Sequence, residues 1–101
     1  MLSRIYGTWV YAEDPTGTLP TEPIYTGTRV YFGADGVYRF TMGQIVLEGT
    51  YTVVEQTDLV HLRVTLARGE EMDVRVQPRD GAIVIYEGNG DLPGHYHVRA
   101  E

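Results

Sequence analysis

The stretch RIYGTWVYAEDPTGTLP, Arg4–Pro20, joins a short run of aromatic and β-branched residues to a polar segment without periodicity. The run holds Trp9, the only tryptophan of the chain, and its composition is typical of a β-strand. The segment 13–27 contains three of the five prolines, which interrupt regular structure. Loops of this length inside a compact domain commonly serve a function. We therefore expect a first strand followed by a long loop over 13–27.

Length and composition exclude several classes of protein. A chain of 101 residues can bury one core, which predicts a single domain over 1–101. Cysteine and lysine are absent, so disulfides, thiolate metal sites and Schiff-base lysines are excluded. A net charge of −6 argues against nucleic-acid binding. The chain has no apolar run of the roughly 20 residues that cross a bilayer and no signal-peptide pattern, so we expect no membrane partner and, if Met1 is native, a cytoplasmic location.

The remainder of the chain consists of period-2 segments separated by short turns. Asp35-Gly36 is the clearest turn, because glycine supplies the positive φ that a tight hairpin needs. Short connections favour antiparallel pairing of consecutive strands, and eight such strands can close into a barrel. The sequence thus predicts an all-β, antiparallel up-and-down eight-stranded barrel. Its strands are expected near 4–12, 28–33, 37–42, 45–54, 59–66, 71–77, 82–87 and 94–100.

Alternation within these strands separates an apolar face from a charged one. The charged face is predicted to point outward and includes Arg29, Arg39, Glu48, His61, Arg63, Asp73, Arg75 and Gln77. The apolar face is predicted to point inward and includes Trp9, Tyr11, Val30, Phe32, Tyr38, Phe40, Met42, Leu47, Tyr51, Val53, Val60, Leu62, Val64, Leu66, Met72, Val74 and Val76. The segment 82–87, AIVIYE, is apolar on both faces, which indicates that a partner subunit or the long loop covers one of them.

The motif Gly7-Thr8-Trp9, with Arg99 near the chain end, resembles the lipocalin and fatty-acid-binding-protein superfamily, the calycins. Phe32, the run Asp35–Tyr38 and the run Gly49–Tyr51 extend the likeness to small bacterial lipocalin-like domains. The resemblance implies that the tryptophan closes one end of a meander barrel, that the arginine packs over it, and that the first loop forms a lid at the other end. Two features depart from the family: the second lipocalin motif is not recognisable, and the usual C-terminal helix has no counterpart before Glu101.

The stretch HYHVR allows two orientations. His95, His97 and Arg99 share one face of a strand, and an inward orientation would place two imidazoles and a guanidinium where a carboxylate, a haem or a metal could bind. The apolar alternation of Tyr96, Val98 and Ala100 favours the opposite, with the histidines outside. A β-bulge would reconcile an inward arginine with outward histidines. Only His61 adds another imidazole, so we expect no metal site.

Three functions follow, in decreasing order of support. The first is noncatalytic binding of a small, largely apolar molecule in the barrel, without a cofactor. Its expected ligand-binding residues are Trp9, Phe32, Tyr38, Phe40, Tyr51, Met72 and Arg99, with Arg99 either meeting a polar group or acting as a structural plug. The second is a protein-interaction or homodimer module whose core is filled by its own side chains. The third is a cyclase-type barrel enzyme, although no residue is assigned a catalytic role.

Overall fold

The computed structural model describes residues 4–19, 21–87 and 94–100. It contains eight β-strands and one turn of 3₁₀ helix at Pro23–Tyr25. No helix in these described ranges is long and apolar enough to cross a membrane. The strands are β1 Gly7–Tyr11, β2 Arg29–Phe32, β3 Val37–Met42, β4 Ile45–Gln56, β5 Val60–Leu66, β6 Glu71–Arg79, β7 Ala82–Glu87 and β8 His95–Arg99.

The eight strands form a closed barrel in sequence order, and every neighbouring pair is antiparallel. Closure comes from β8 and β1, where Trp9 lies opposite Arg99 and Tyr11 lies opposite His97. Because each strand has two neighbours, the barrel leaves no continuous sheet edge for another chain to pair with. This topology confirms the predicted fold class.

The barrel has two different ends. At one, here named the closed end, the connections are the short turns 33–36, 57–59 and 80–81, together with residues 4–6 before β1. At the other, here named the loop end, the connections are the loop 12–28 and the turns 43–44 and 67–70. The long loop therefore lies opposite the closed end, as the resemblance implies.

The inward face forms the hydrophobic core, as the alternation predicts. Phe32 lies opposite Tyr38 across the Asp35-Gly36 turn, with ring centroids 5.8 Å apart. On the outer face Arg39 pairs with Glu48 at 3.0 Å. The buried core consists of Ile5, Trp9, Val30, Phe32, Tyr38, Tyr51, Val60, Leu62, Val64, Leu66, Val74, Val76, Ile83 and Ile85.

The two-faced strand β7 is buried on both sides within one chain. Ile83 lies opposite the buried His97, and both face the interior. Val84 faces outward and is nevertheless fully buried. Part of its cover is the backbone of Gly94, where a Cβ would collide with the side chains of Val84 and Tyr86. The apolar outer face of β7 therefore needs no partner subunit to cover it.

Strand boundaries differ from the predicted ones where local geometry overrides alternation. Strand β1 begins at Gly7 rather than residue 4, since Gly7 has a φ of +115° that interrupts the extended run. Strand β4 continues to Gln56, and a register shift between Val53 and Glu55 accommodates the extra residues. Strand β6 continues through Pro78 because the hairpin with β7 extends to the end of that strand.

The closed end is built around Trp9, which is only 2% exposed. Its indole Nε1 donates a hydrogen bond to the carbonyl of Ile5 at 2.8 Å. The guanidinium of Arg99 lies 4.3 Å from the ring centroid, a cation–π distance, and donates a hydrogen bond to the carbonyl of Tyr6 at 2.6 Å. A Cβ on Gly7 would lie 2.6 Å from Arg99 Nη1, so the Gly-x-Trp spacing leaves room for the arginine.

Replacing Arg99 by Met should lower the free energy of unfolding by about 1–2 kcal/mol, because the aliphatic chain is kept while the cation–π contact and the hydrogen bond are lost. Urea unfolding followed by Trp9 fluorescence measures this change. The matched control is Arg63→Met, which removes an exposed guanidinium on the outer face and should change the free energy of unfolding by less than about 0.5 kcal/mol. Equal losses in the two variants would contradict a special role for Arg99.

Candidate functional site

The first half of the long loop is organised by Asp14, which is 4% exposed. Its carboxylate accepts hydrogen bonds from the backbone of Thr16 at 2.9 Å, the hydroxyl of Thr16 at 2.8 Å and the backbone of Leu19 at 3.1 Å. These bonds, above all the one from the Thr16 backbone, lower the pKa of Asp14 below its ordinary value. The loop is therefore a compact turn that starts directly after β1.

The second half of the loop is attached to the barrel by aromatic and polar contacts. The Tyr25 ring lies 4.5 Å from the His95 ring, and a Glu22 carboxylate oxygen lies 3.3 Å from His95 Nε2. The backbone of Glu22 donates a hydrogen bond to the Tyr11 hydroxyl at 2.8 Å. These contacts join the loop to inward-facing residues of β1 and β8, so the loop crosses the loop end of the barrel.

Beneath these contacts lies a row of inward polar residues, here named the polar row: Thr28, Tyr11 and His97. Tyr11 lies opposite His97, and its backbone donates a hydrogen bond to the carbonyl of Thr28 at 2.9 Å. Directly opposite residues of antiparallel strands share a face, so all three point into the barrel. Thr28 and His97 are each 3% exposed, and Tyr11 is 9% exposed.

His97 is held in its neutral form. Burial lowers the pKa of His97 from 6.5 to about 4, which outweighs the opposing effect of its hydrogen bond. That bond joins Nδ1 to the carbonyl of His95 at 2.9 Å. Because a carbonyl only accepts, Nδ1 carries the hydrogen and Nε2 is the acceptor of the neutral ring. The edge of the Tyr11 ring packs against this imidazole, with centroids 5.8 Å apart.

The inward orientation of the histidines shows that the interpretation favoured by the apolar alternation in HYHVR is wrong. Tyr96 lies opposite Val84, and Val98 lies opposite Val10, all on the outer face. The outer face of the barrel is buried at β7, so apolar residues occupy both sides of this part of the barrel. Alternation in hydrophobicity therefore carries no information about orientation there. His97 and Arg99 both face inward without a bulge between them.

Four of the expected ligand-binding residues pack into the closed end. Trp9, Phe32, Tyr38 and Tyr51 are all at most 7% exposed. The Phe32 ring lies 5.7 Å from the Tyr51 ring, and the Tyr51 hydroxyl donates a hydrogen bond to the carbonyl of Gly33. Burial, the largest cause, raises the pKa of Tyr51 to about 12. These side chains, like Arg99 above them, are engaged with one another and with backbone groups.

The other two expected residues, Phe40 and Met72, lie toward the loop end and are only half-buried. The hairpin of β3 and β4 projects here, because β5 ends at Leu66 and its last pairing is with Gly49. Ile45 pairs with Met42 on the inner side of this hairpin and is 52% exposed. We name the inward apolar side chains that stay partly exposed the loop-end apolar group: Phe40, Met42, Ile45, Leu47 and Met72.

Sequence reasoning placed Tyr11 in the interior but missed Thr28, Glu22 and Tyr25 as part of a site. For Thr28 a signal exists, since counting back two residues from the inward Val30 places it on the inward face. For Glu22 and Tyr25 no signal exists, because an aperiodic loop does not reveal where it meets the barrel. His61, the third histidine, lies outside with Asp73 at 3.4 Å from Nε2. No three potential metal ligands converge within the described ranges.

Comparison with protein-family models finds no match to this sequence, and comparisons with curated proteins and with solved structures find no significant match either. The function must therefore be argued from the residues themselves.

The burial of His97 makes stability depend on pH. His97 takes up its proton near pH 6.5 in the unfolded chain but near 4 in the folded protein, so lowering the pH through this interval favours unfolding. In the wild type this titration should lower the free energy of unfolding by about 3 kcal/mol between about pH 7 and pH 4. We expect His97→Phe to abolish this decrease. Urea unfolding at several pH values measures the difference between variant and wild type. Parallel stability profiles would show that His97 titrates normally in the folded state.

Proposed function

We propose that the protein binds a small, largely apolar molecule at the loop end of its barrel and does not transform it. The observation that carries this proposal is the loop-end apolar group. Its side chains point toward the barrel axis yet remain partly exposed, whereas the inward aromatic side chains of the closed end, Trp9, Phe32, Tyr38 and Tyr51, are buried. Apolar surface that faces inward and stays wet gains free energy when an apolar molecule covers it.

The proposal divides the expected binding residues by role. Phe40 and Met72 contact the ligand, with Met42, Ile45 and Leu47 beside them. Trp9, Phe32, Tyr38 and Tyr51 form the floor, and Arg99 serves as a structural plug, since its guanidinium is engaged by Trp9 and the Tyr6 carbonyl. The loop 13–27 acts as the lid, held through Glu22 and Tyr25. This arrangement is the one that the lipocalin-like resemblance implies.

Two methionines of the loop-end apolar group, Met42 and Met72, report directly on the proposed location. In protein labelled with ¹³C at the methionine methyl groups, titration with an uncharged apolar probe such as N-phenyl-1-naphthylamine should shift the Met42 and Met72 signals. Saturation at one site per chain is expected. The absence of a saturable shift of these two signals would contradict binding at the loop end.

A matched pair of variants separates binding from surface adhesion. Phe40→Gln removes an inward side chain of the loop-end apolar group, and Val46→Gln removes an outward side chain that is 52% exposed on the neighbouring strand. We expect Phe40→Gln to weaken probe affinity about tenfold, as loss of one well-packed apolar contact does. Val46→Gln should leave it within about twofold. Equal effects would place the probe on the outer surface.

Homodimer formation is a second candidate function, because three apolar side chains at the loop end are exposed: Ile24 at 72%, Ile45 at 52% and Val46 at 52%. The apolar strand β7 gives no support for a homodimer, since both of its faces are buried within one chain. Sedimentation equilibrium of wild type and Val46→Glu distinguishes the candidates: a dimer that the substitution dissociates would favour the interaction module.

A further inference from the structure

One buried polar group in the polar row lacks a partner. Thr28 Oγ1 is inaccessible to solvent and forms no hydrogen bond with any described part of the chain. The backbone of Thr28 is satisfied, because its N–H donates to the Tyr25 carbonyl and its own carbonyl accepts from Tyr11. A buried hydroxyl without a partner is costly, and such groups in native proteins are explained by a bound water or ligand atom.

The neighbours of this hydroxyl form a small polar environment that is enclosed by the lid contacts. Tyr11 lies between Thr28 and His97 on the same face, and its own hydroxyl accepts a hydrogen bond from the Glu22 backbone. The imidazole of His97 presents Nε2 as an acceptor, since Nδ1 is committed to the His95 carbonyl. The row therefore offers both donors and acceptors next to the proposed apolar site.

The charges around the polar row determine which ligand groups can bind there. His97 is neutral, and Thr28 and Tyr11 carry no charge. The nearby His95 is already paired with Glu22 from the lid, and Arg99 is occupied at the closed end. A carboxylate placed here would be buried without a cation of its own, in a protein of net charge −6, which is strongly unfavourable. An uncharged oxygen can be accommodated at no such cost.

We propose that the polar row holds the uncharged hydroxyl or carbonyl group of the apolar ligand, with Thr28 Oγ1 as its hydrogen-bond partner. This inference rests on the proposed function and specifies the ligand class: an apolar molecule with one neutral oxygen group and no carboxylate. The apolar part lies against the loop-end apolar group, and the neutral oxygen points beneath the lid toward β1, β2 and β8.

Three probes of similar shape test the ligand class with the wild-type protein: naphthalene, 1-naphthol and 1-naphthoate, measured by the methionine methyl shifts at neutral pH. We expect 1-naphthol to bind about three- to tenfold more tightly than naphthalene, the gain from one buried hydrogen bond. We expect 1-naphthoate to bind more weakly than both. Equal affinity for naphthalene and 1-naphthol, or tightest binding of 1-naphthoate, would overturn the inference.

The isosteric variant Thr28→Val tests the residue. In this variant the preference for 1-naphthol over naphthalene should disappear. Thr52→Val, on the exposed outer face of β4, is the matched control and should keep the preference. Thermal unfolding gives a second measurement: Thr28→Val should unfold at the same or a higher temperature, since it removes an unpaired buried hydroxyl. A lower temperature would mean that the hydroxyl is already bonded, which overturns the inference.

The outcomes also distinguish this inference from the proposed function. If naphthalene binds at the loop end without any preference for 1-naphthol, the apolar site stands, and the hydroxyl of Thr28 belongs to a bound water. If none of the three probes shifts the signals of Met42 and Met72, the proposed function fails, and the ligand class fails with it.

Discussion

The contact between Arg99 and Trp9 connects the last strand of the barrel to the first. Among the described residues, three residue pairs form the ladder between β8 and β1, fewer than join most other neighbouring strands, and backbone hydrogen bonds from Ala12 to Tyr96 and from Ala100 to Thr8 extend it. The guanidinium adds a cation–π contact and a hydrogen bond to the carbonyl of Tyr6 at this short seam. Because closure desolvates the inward positions of the core and of the polar row, the burial of the core and the low pKa of His97 both depend on the seam.

Closure has opposite consequences at the two ends of the barrel. At the closed end, polar atoms find partners within the chain: the indole of Trp9 bonds the Ile5 carbonyl, and the Tyr51 hydroxyl bonds the Gly33 carbonyl. At the loop end, apolar side chains stay partly exposed, and Thr28 keeps a buried hydroxyl without a partner in the described chain. The partly exposed apolar side chains and the unpaired buried hydroxyl thus lie at the same end of the described barrel, beneath the loop that carries Tyr25.

The barrel could be predicted from sequence because its signals are local. Alternation identified eight strands and the inward face, and Asp35-Gly36 placed a hairpin at its correct position. The predicted orientation of β8 was wrong, because Tyr96 and Val98 are apolar for a reason outside their own strand. The outer surface of the neighbouring β7 is covered by the chain. Alternation reports orientation only where one face meets water.

The candidate site was less predictable, because its members come from segments distant in sequence. The expected residues were selected as inward aromatics, and packing rather than chemistry separates Trp9 and Phe32 at the closed end from Phe40 at the loop end. The polar row depends on barrel closure, which places Tyr11 between Thr28 at the end of the loop and His97 of the last strand. No pattern within either segment indicates that they meet.

We expect the polar row to lower the stability of the free protein, because the buried Thr28 hydroxyl has no partner in the described chain. The inward positions of the adjacent β7 hold Ile83 and Ile85, whose apolar side chains are buried without giving up hydrogen bonds to water. Aliphatic residues at Thr28 and His97 would preserve the pairing of the strands and remove two buried polar groups. Neither the barrel nor its seam requires these polar side chains, and the ligand recognition that we propose would account for their grouping beneath the loop.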